Sequence, residues 1–404
     1  MLRVLTLSTL FPDATRPNFG IFVERQTREL AARPGIDLRV VAPVGLPPGP
    51  FSRIRHYRPL AALPADEAWN GLTVHRPRFT TLPGTGGRYH VAALRRALIP
   101  LLDRLYDDAA FDVIDAEFFF PDGPAAVALG KRYGVPVSIK ARGADIHHWG
   151  HGVTAGQIRR AGQAADGLLA VSGAMKADMA AIGMPPDRIH VHHTGVDLDH
   201  FIPCPDRSLA RAAWRVRGAL IVSIGALIQR KGHDIVIDAA AALPDASLLI
   251  AGDGPERGAL QARIDRQGLS GRVRLLGPVR HQDLPALLAA ADVMALASAS
   301  EGLANAWVEA LACGTPVVVP AIGGAREVVT TRAAGRIVER TSGGFAAGIA
   351  ALLAEPPPQE ETRSAARHFT WPANADALEA HLKRLVAAGK RPPPRAIRRK
   401  NNRP

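Results

Sequence analysis

Short runs of β-branched and aliphatic residues alternate with longer helical patterns along nearly the whole chain, and this rhythm constrains the fold more than any other feature. In the first half the runs are Val4–Leu10, Asp37–Ala42, Val113–Asp115, Val135–Lys140 and Gly167–Val171. In the second half they are Ala219–Ile224, Ser247–Ile250, Val273–Leu276, Val293–Leu296 and Pro316–Val319. Continuous apolar runs of this length suit strands buried on both faces, and the stretches between them leave room for crossover helices. The pattern therefore predicts parallel βαβ units and an α/β fold class. From Thr194-Gly195-Val196-Asp197 to Pro203-Cys204-Pro205 a glycine and two prolines interrupt it, so two doubly wound domains are expected. Their expected extents are 1–197 and 217–370, with a linker over 198–216, a C-terminal helix over 371–389 crossing back to the first domain, and a tail over 390–404. In such sheets ligands bind beyond the carboxyl ends of the strands, so a cleft between the halves is the expected seat of chemistry.

Composition narrows the function classes. The net charge of +13 favours phosphate-bearing partners. Much of it lies in Lys390–Pro404, which holds Lys390, Arg391, Arg395, Arg398, Arg399, Lys400 and Arg403 with no acid and is expected to be disordered. A second concentration runs through Arg53, Arg55, Arg58, Arg76, Arg78, Arg88, Arg95, Arg96 and Arg104. Within Tyr89–Tyr106, Val91, Leu94, Leu98, Leu101, Leu102 and Leu105 fall at helical spacing, which fits a core-packing helix with a basic face or peripheral attachment to anionic lipid. Aromatic residues make up only 5% of the chain and no base-reading motif accompanies the charge, which argues against specific nucleic-acid binding. No apolar run approaches the roughly 18 residues that cross a bilayer, and no secretory leader is legible at the N-terminus. With two cysteines, Cys204 and Cys313, the expected compartment is the cytoplasm, at the inner face of the plasma membrane if lipid is contacted.

The strongest local signal is Ser298-Ala299-Ser300-Glu301-Gly302-Leu303-Ala304-Asn305-Ala306-Trp307-Val308-Glu309, which places two glutamates eight positions apart after a strand. Small residues at Gly302 and Ala304 read as a loop entering a helix, and Gly314 reads as its stop. The free N–H groups of a helix start suit a diphosphate. On a continuous helix the two carboxylates would stand about 12 Å apart, near the span from sugar ring to ribose in a nucleotide sugar. An isolated pair of this spacing would be two exposed glutamates on an ordinary helix.

The pair is not isolated. With Glu309-Ala310-Leu311-Ala312-Cys313-Gly314-Thr315-Pro316-Val317-Val318 it closely resembles the donor-site signature of family 4 glycosyltransferases. Other segments match in order: Val171-Ser172, Thr194-Gly195-Val196-Asp197, Ile224-Gly225 through Arg230-Lys231-Gly232-His233-Asp234, Ala251-Gly252-Asp253-Gly254-Pro255-Glu256, and Gly323-Gly324-Ala325-Arg326-Glu327. Asn18-Phe19-Gly20-Ile21-Phe22-Val23 and Pro121-Asp122-Gly123 look most like the exopolysaccharide and teichuronic-acid branch. The resemblance implies a GT-B fold, two Rossmann-like domains facing across a central cleft, and a retaining transferase. Its donor would be a nucleoside-diphosphate sugar acting as co-substrate, with no cofactor and no metal, and its acceptor a glycan or lipid-linked sugar. It further implies that Arg230 and Lys231 neutralise the leaving diphosphate, that Glu301 faces the transferred sugar, and that Glu309 holds the ribose hydroxyls. Gly225 would shape the phosphate loop, Gly302, Leu303 and Ala304 would offer backbone amides, and Gly20 would permit close approach of the other domain. Arg280 could stack on the base.

The chain also departs from the family pattern. Ala226 stands where many members have Arg, and Arg142 stands where many have a His near the donor sugar; Arg could contact a hydroxyl or phosphate but would not act as a base. Asp115-Ala116-Glu117 lies where a His often occurs, leaving Asp115 and Glu117 as acceptor-side candidates to orient or deprotonate a hydroxyl. Asp197-Leu198-Asp199 and the histidines His147, His148, His151, His190, His192 and His193 form no clear metal constellation. A nucleotide-sugar epimerase of the same fold and a non-catalytic nucleotide- or polyanion-binding protein remain the alternatives.

Overall fold

The computed structural model describes residues 1–54, 57–216 and 218–389; the basic tail expected to be disordered lies outside the described residues. The chain divides into two compact units. The first comprises Met1–Ala170, Lys176–His192 and the described residues from Ala375 on, and the second comprises Val171–Met175 and His193–Asn374.

In the first unit the strands are β1 (Leu2–Leu7), β2 (Ile36–Val41), β3 (Val44–Leu46), β4 (Asp66–Trp69), β5 (Leu72–His75), β6 (Arg78–Thr80), β7 (Val113–Ala116), β8 (Val137–Ala141), β9 (Gly167–Ala170) and β10 (Ile189–Val191). Eight of them form one sheet in the order β10-β9-β8-β7-β1-β2-β5-β4, and β3 pairs with β6 apart from it. The large sheet is parallel except at its edge, where β4 and β5 join as a hairpin through Asn70-Gly71. β1 stops at Leu7 rather than Leu10 because the Ser8 hydroxyl donates to the Leu10 carbonyl at 3.0 Å and turns the chain. On one face of the sheet Leu2, Val4, Val113 and Leu169 pack with Leu30 and with Leu378 and Leu382 of the C-terminal helix Trp371–Ala388. Full burial of each such leucine contributes about 1.5–3 kcal/mol. Farther along the same face Val40 and Val74 pack with Phe11 and Val23.

The second unit holds β11 (Ala219–Ile224), β12 (Ala246–Ala251), β13 (Val273–Gly277), β14 (Val293–Ala295), β15 (Val317–Pro320) and β16 (Gly335–Val338). They form a wholly parallel sheet in the order β13-β12-β11-β14-β15-β16. Ile221, Leu248, Ile250, Val293 and Val318 are covered by Val236 and Ile237 of one helix and by Phe345, Ile349 and Leu352 of another. Each strand anticipated from the alternation is present, and both units have the doubly wound, Rossmann-like architecture.

The expected domain limits shift. The main stretch of the second unit begins at His193, and 198–216, anticipated as a linker, belongs to that unit. There Arg207–Ala213 is a helix, Arg211 Nε donates to the Ala290 carbonyl at 3.0 Å, and Arg363 holds the carbonyls of Leu198 and Phe201 at 2.6 Å each. Prolines and a glycine broke the strand rhythm without making a loose connection. Asp197 Oδ1 accepts the backbone N–H groups of Asp199 and His200 at 3.0 Å each, so the D-x-D spelling closes a turn.

Candidate active site

Because the strands of the second unit run parallel, the loops after β11, β12, β13 and β14 gather along one sheet edge. The loop after β11 carries Arg230 and Lys231, and that after β14 carries Glu301. Lys231 Nζ lies 2.5 Å from Glu301 Oε1, which also accepts the Ser298 hydroxyl at 2.6 Å; Arg230 Nη1 lies 3.7 Å from Glu301 Oε2. The two loops are stitched by the Ala299 N–H on the Arg230 carbonyl at 2.8 Å and by Arg230 Nη1 on the Ser300 carbonyl at 2.5 Å. Gly232 makes the approach possible. Its φ is +66°, and a Cβ there would stand 2.1 Å from the Ala297 carbonyl oxygen. Gly225 sits at the start of the loop, its N–H on the Ala251 carbonyl at 3.0 Å.

The Glu pair needs one correction. The helix begins only at Asn305, so Glu301 stands on the preceding loop and the rise of a continuous helix does not describe the spacing of the two carboxylates. The segment Gly302, Leu303 and Ala304 enters that helix with backbone N–H groups that have no protein acceptor among the described residues. Beside two cations, free amides of this kind suit an anion. Glu309 lies on the helix itself. One oxygen, Oε1, is 2.7 Å from His281 Nε2, and the other has no protein partner among the described residues. Sequence reasoning passed over both His281 and Ser298. The predicted base-stacking group Arg280 is instead turned outward, 73% exposed, and paired with Asp283 at 2.7 Å.

The first unit gathers charge at the ends of its own strands, and here the residues close on one another. Glu117, just past β7, receives Arg142 through both its carboxylate and its backbone carbonyl, the latter from Nε at 2.7 Å. Gln26 donates to the same carboxylate and accepts Lys140 Nζ at 2.6 Å; Lys140 also reaches His192 Nδ1 at 2.8 Å. The Arg142 guanidinium lies 4.8 Å over the Phe22 ring. Burial alone would raise Glu117, but the charges of Arg142 and Lys140 outweigh it and hold the carboxyl below its ordinary range. Burial, reinforced by the Glu117 charge, pushes Asp115 well above its ordinary range, and burial pulls Lys140 down to about 7. The carboxyls expected to meet an acceptor are thus enclosed, with Glu117 at 0% and Asp115 at 1% exposure. Arg142, expected near a donor sugar, is engaged by Glu117. Gly20 answers a demand within its own unit: its φ is +71°, and a Cβ there would stand 2.5 Å from the Leu10 carbonyl oxygen.

Comparison with known proteins decides the family. The family described as Glycosyltransferase Family 4 matches residues 20–200, and the one described as Glycosyl transferases group 1 matches residues 207–369. The chain belongs to glycosyltransferase family 4. Among relatives of this family member, the D-inositol 3-phosphate glycosyltransferases of Mycobacterium tuberculosis and Mycobacterium bovis are 40% identical over 219 residues, covering 50% of this chain and 45% of theirs. The chain thus matches about half the length of these curated relatives. Its fold is shared with sucrose-phosphate synthase from Thermosynechococcus elongatus (TM-score 0.81, 19% identity, 96% of this chain and 100% of that one). It is shared also with HepE of Anabaena in complex with UDP and glucose (TM-score 0.69, 21% identity, 95% and 100%). A third neighbour is the catalytic domain of starch synthase IV from Arabidopsis thaliana bound to ADP and acarbose (TM-score 0.72, 14% identity, 96% and 99%). These are GT-B glycosyltransferases, and the two Rossmann-like units of this chain have that fold.

Proposed function

We propose that this family 4 glycosyltransferase moves a sugar from a nucleoside-diphosphate sugar to a glycan or lipid-linked acceptor, with retention of configuration, in cell-surface polysaccharide synthesis. The observation that carries the reading is the open cluster of Arg230, Lys231 and Glu301 beside the amides of Gly302–Ala304, which have no protein acceptor among the described residues. Lys231 and Arg230 both face the Glu301 carboxylate. A diphosphate entering between the loops supplies a stronger partner for Arg230 and Lys231, and Glu301 is then released toward the sugar hydroxyls. In the transfer the bond from the sugar C1 to the phosphate oxygen breaks, the acceptor oxygen bonds C1 on the same face, and the acceptor proton passes to the departing phosphate. Negative charge grows on that phosphate, where two fixed cations and backbone amides lower the barrier without requiring a divalent ion. Neighbours of the same fold solved with UDP, UDP-glucose or ADP support this class of donor.

The acceptor is brought to a membrane face in this reading. Helix His90–Asp108 buries Leu94, Leu98, Leu101 and Leu102 and leaves Arg95, Arg96 and Arg104 exposed, a basic face suited to anionic lipid at the inner leaflet. Among the described residues no helix is long and apolar enough to cross a membrane. The test is nucleotide-sugar consumption against a panel of donors, with and without lipid-linked sugar acceptors, in chelator. Acceptor-dependent release of nucleoside diphosphate that is lost in Lys231→Ala and Glu309→Ala is the expected result. Donor binding with no turnover across a broad acceptor set would contradict it.

A further inference from the structure

The turn after β13 divides its side chains between two directions. Arg280 and Asp283 face outward and pair with each other. His281, between them, points inward, and its side chain is 12% exposed against 11% for its partner Glu309. A carboxylate has no proton to give, so the ring nitrogen at 2.7 Å must be the donor. The ring is held on a second side by Phe201, edge-on at 75° with centroids 5.4 Å apart, and Phe201 is itself fully buried. Glu309 is thereby fixed through Oε1 while Oε2 has no protein partner among the described residues. A carboxylate free to rotate would share its acceptor positions among many orientations; one pinned through a single oxygen presents the other in a set direction.

We infer that His281 is a positioning residue for nucleotide recognition, fixing the Glu309 carboxylate so that its free oxygen accepts a ribose hydroxyl. This rests on the reading of Glu309 given above. It makes selection of ribose over deoxyribose a property of the pair rather than of Glu309 alone, since an acceptor covered by the bound nucleotide is left unsatisfied when the hydroxyl is missing.

The experiment is calorimetric titration of the full chain with uridine, adenosine and guanosine diphosphates, followed by the 2′-deoxy and 3′-deoxy forms of the nucleotide that binds most tightly. Wild type, His281→Ala, His281→Gln, Glu309→Ala and the double alanine variant are compared. The expected results are a ribose preference of about tenfold or more in wild type, its loss in His281→Ala, and its return in His281→Gln, whose amide can donate to the same oxygen. The double variant should bind no more weakly than Glu309→Ala alone. Loss of the preference in Glu309→Ala with wild-type behaviour in His281→Ala overturns the inference and leaves the Glu309 reading intact. Retention of the preference in Glu309→Ala, or no binding of any of the three diphosphates, overturns both. If His281→Ala does not fold, His281→Gln decides through the same comparison: a preference reduced to that of Glu309→Ala overturns the inference.

Discussion

Both units collect charge at the carboxyl ends of parallel strands, yet they use it in opposite ways. In the first, Arg142 and Glu117 are 5% and 0% exposed and satisfy each other through Gln26 and Lys140. In the second, Arg230 and Lys231 are 39% and 16% exposed and lean on one carboxylate, beside amides without a protein acceptor among the described residues. A closed network offers little to a ligand without first being broken. An open one has donors to spare. The sheet edge is thus a common platform, and the degree to which its charges satisfy one another separates the enclosed cluster from the one proposed to bind the donor.

The comparison can be broken most forcefully at Arg142. Arg142→Ala strands a buried carboxylate and should destabilise the protein by about 3–5 kcal/mol, whereas Lys231→Ala, whose partner Glu301 keeps Ser298 and solvent, should cost about 1 kcal/mol or less. Urea unfolding of the two variants checks this, and equal losses would erase the distinction. Gly232→Ala comes next. The positive φ costs about 1–2 kcal/mol and the clash with the Ala297 carbonyl about 1–3 more. The larger consequence is displacement of Arg230 and Lys231, read as a loss of nucleotide affinity beyond what Lys231→Ala alone produces.

A subtler test uses pH within the first unit. Asp122 accepts the Thr9 N–H at 2.7 Å and hydroxyl at 3.1 Å, and burial raises its carboxyl to about 8. From the ordinary carboxylate range up to about pH 8 the folded protein keeps a proton that the unfolded chain has released, so stability falls as pH rises. The slope from this group is at most about 1.4 kcal/mol per pH unit. Unfolding free energies measured from pH 5 to pH 8 should decline less steeply in Asp122→Asn than in wild type; parallel curves would contradict the assignment. The smallest effect is expected at Arg280, where Arg280→Ala should change nucleotide affinity by less than about twofold because the guanidinium is held outward by Asp283. A tenfold loss would restore it as a base-stacking group.

These contrasts also mark how far the sequence could be read. The long parallel strands were legible because burial on both faces demands continuous apolar runs; three-residue β3 and β6 are too short to carry any period. Arg230, Lys231, Glu301 and Glu309 were singled out through resemblance to a family motif, and the structure brings the first three together. What spacing could not disclose was mutual engagement. Glu117 meets Arg142 across 25 positions and Glu309 meets His281 across 28, contacts made by neighbouring loops of a sheet that leave no periodic trace. Asp115, Glu117 and Arg142 carry reactive side chains in a suggestive place, and only the structure shows Glu117 bonded to Arg142 with Asp115 buried beside them.

The most direct test of the central claim is the affinity of wild type and Lys231→Ala for a nucleoside diphosphate and for the matching nucleoside, measured by calorimetry at fixed salt. If the open cluster of the second unit is the diphosphate site, Lys231→Ala should weaken the diphosphate by about tenfold or more and leave the nucleoside unchanged. Equal binding of the diphosphate by both proteins would contradict it.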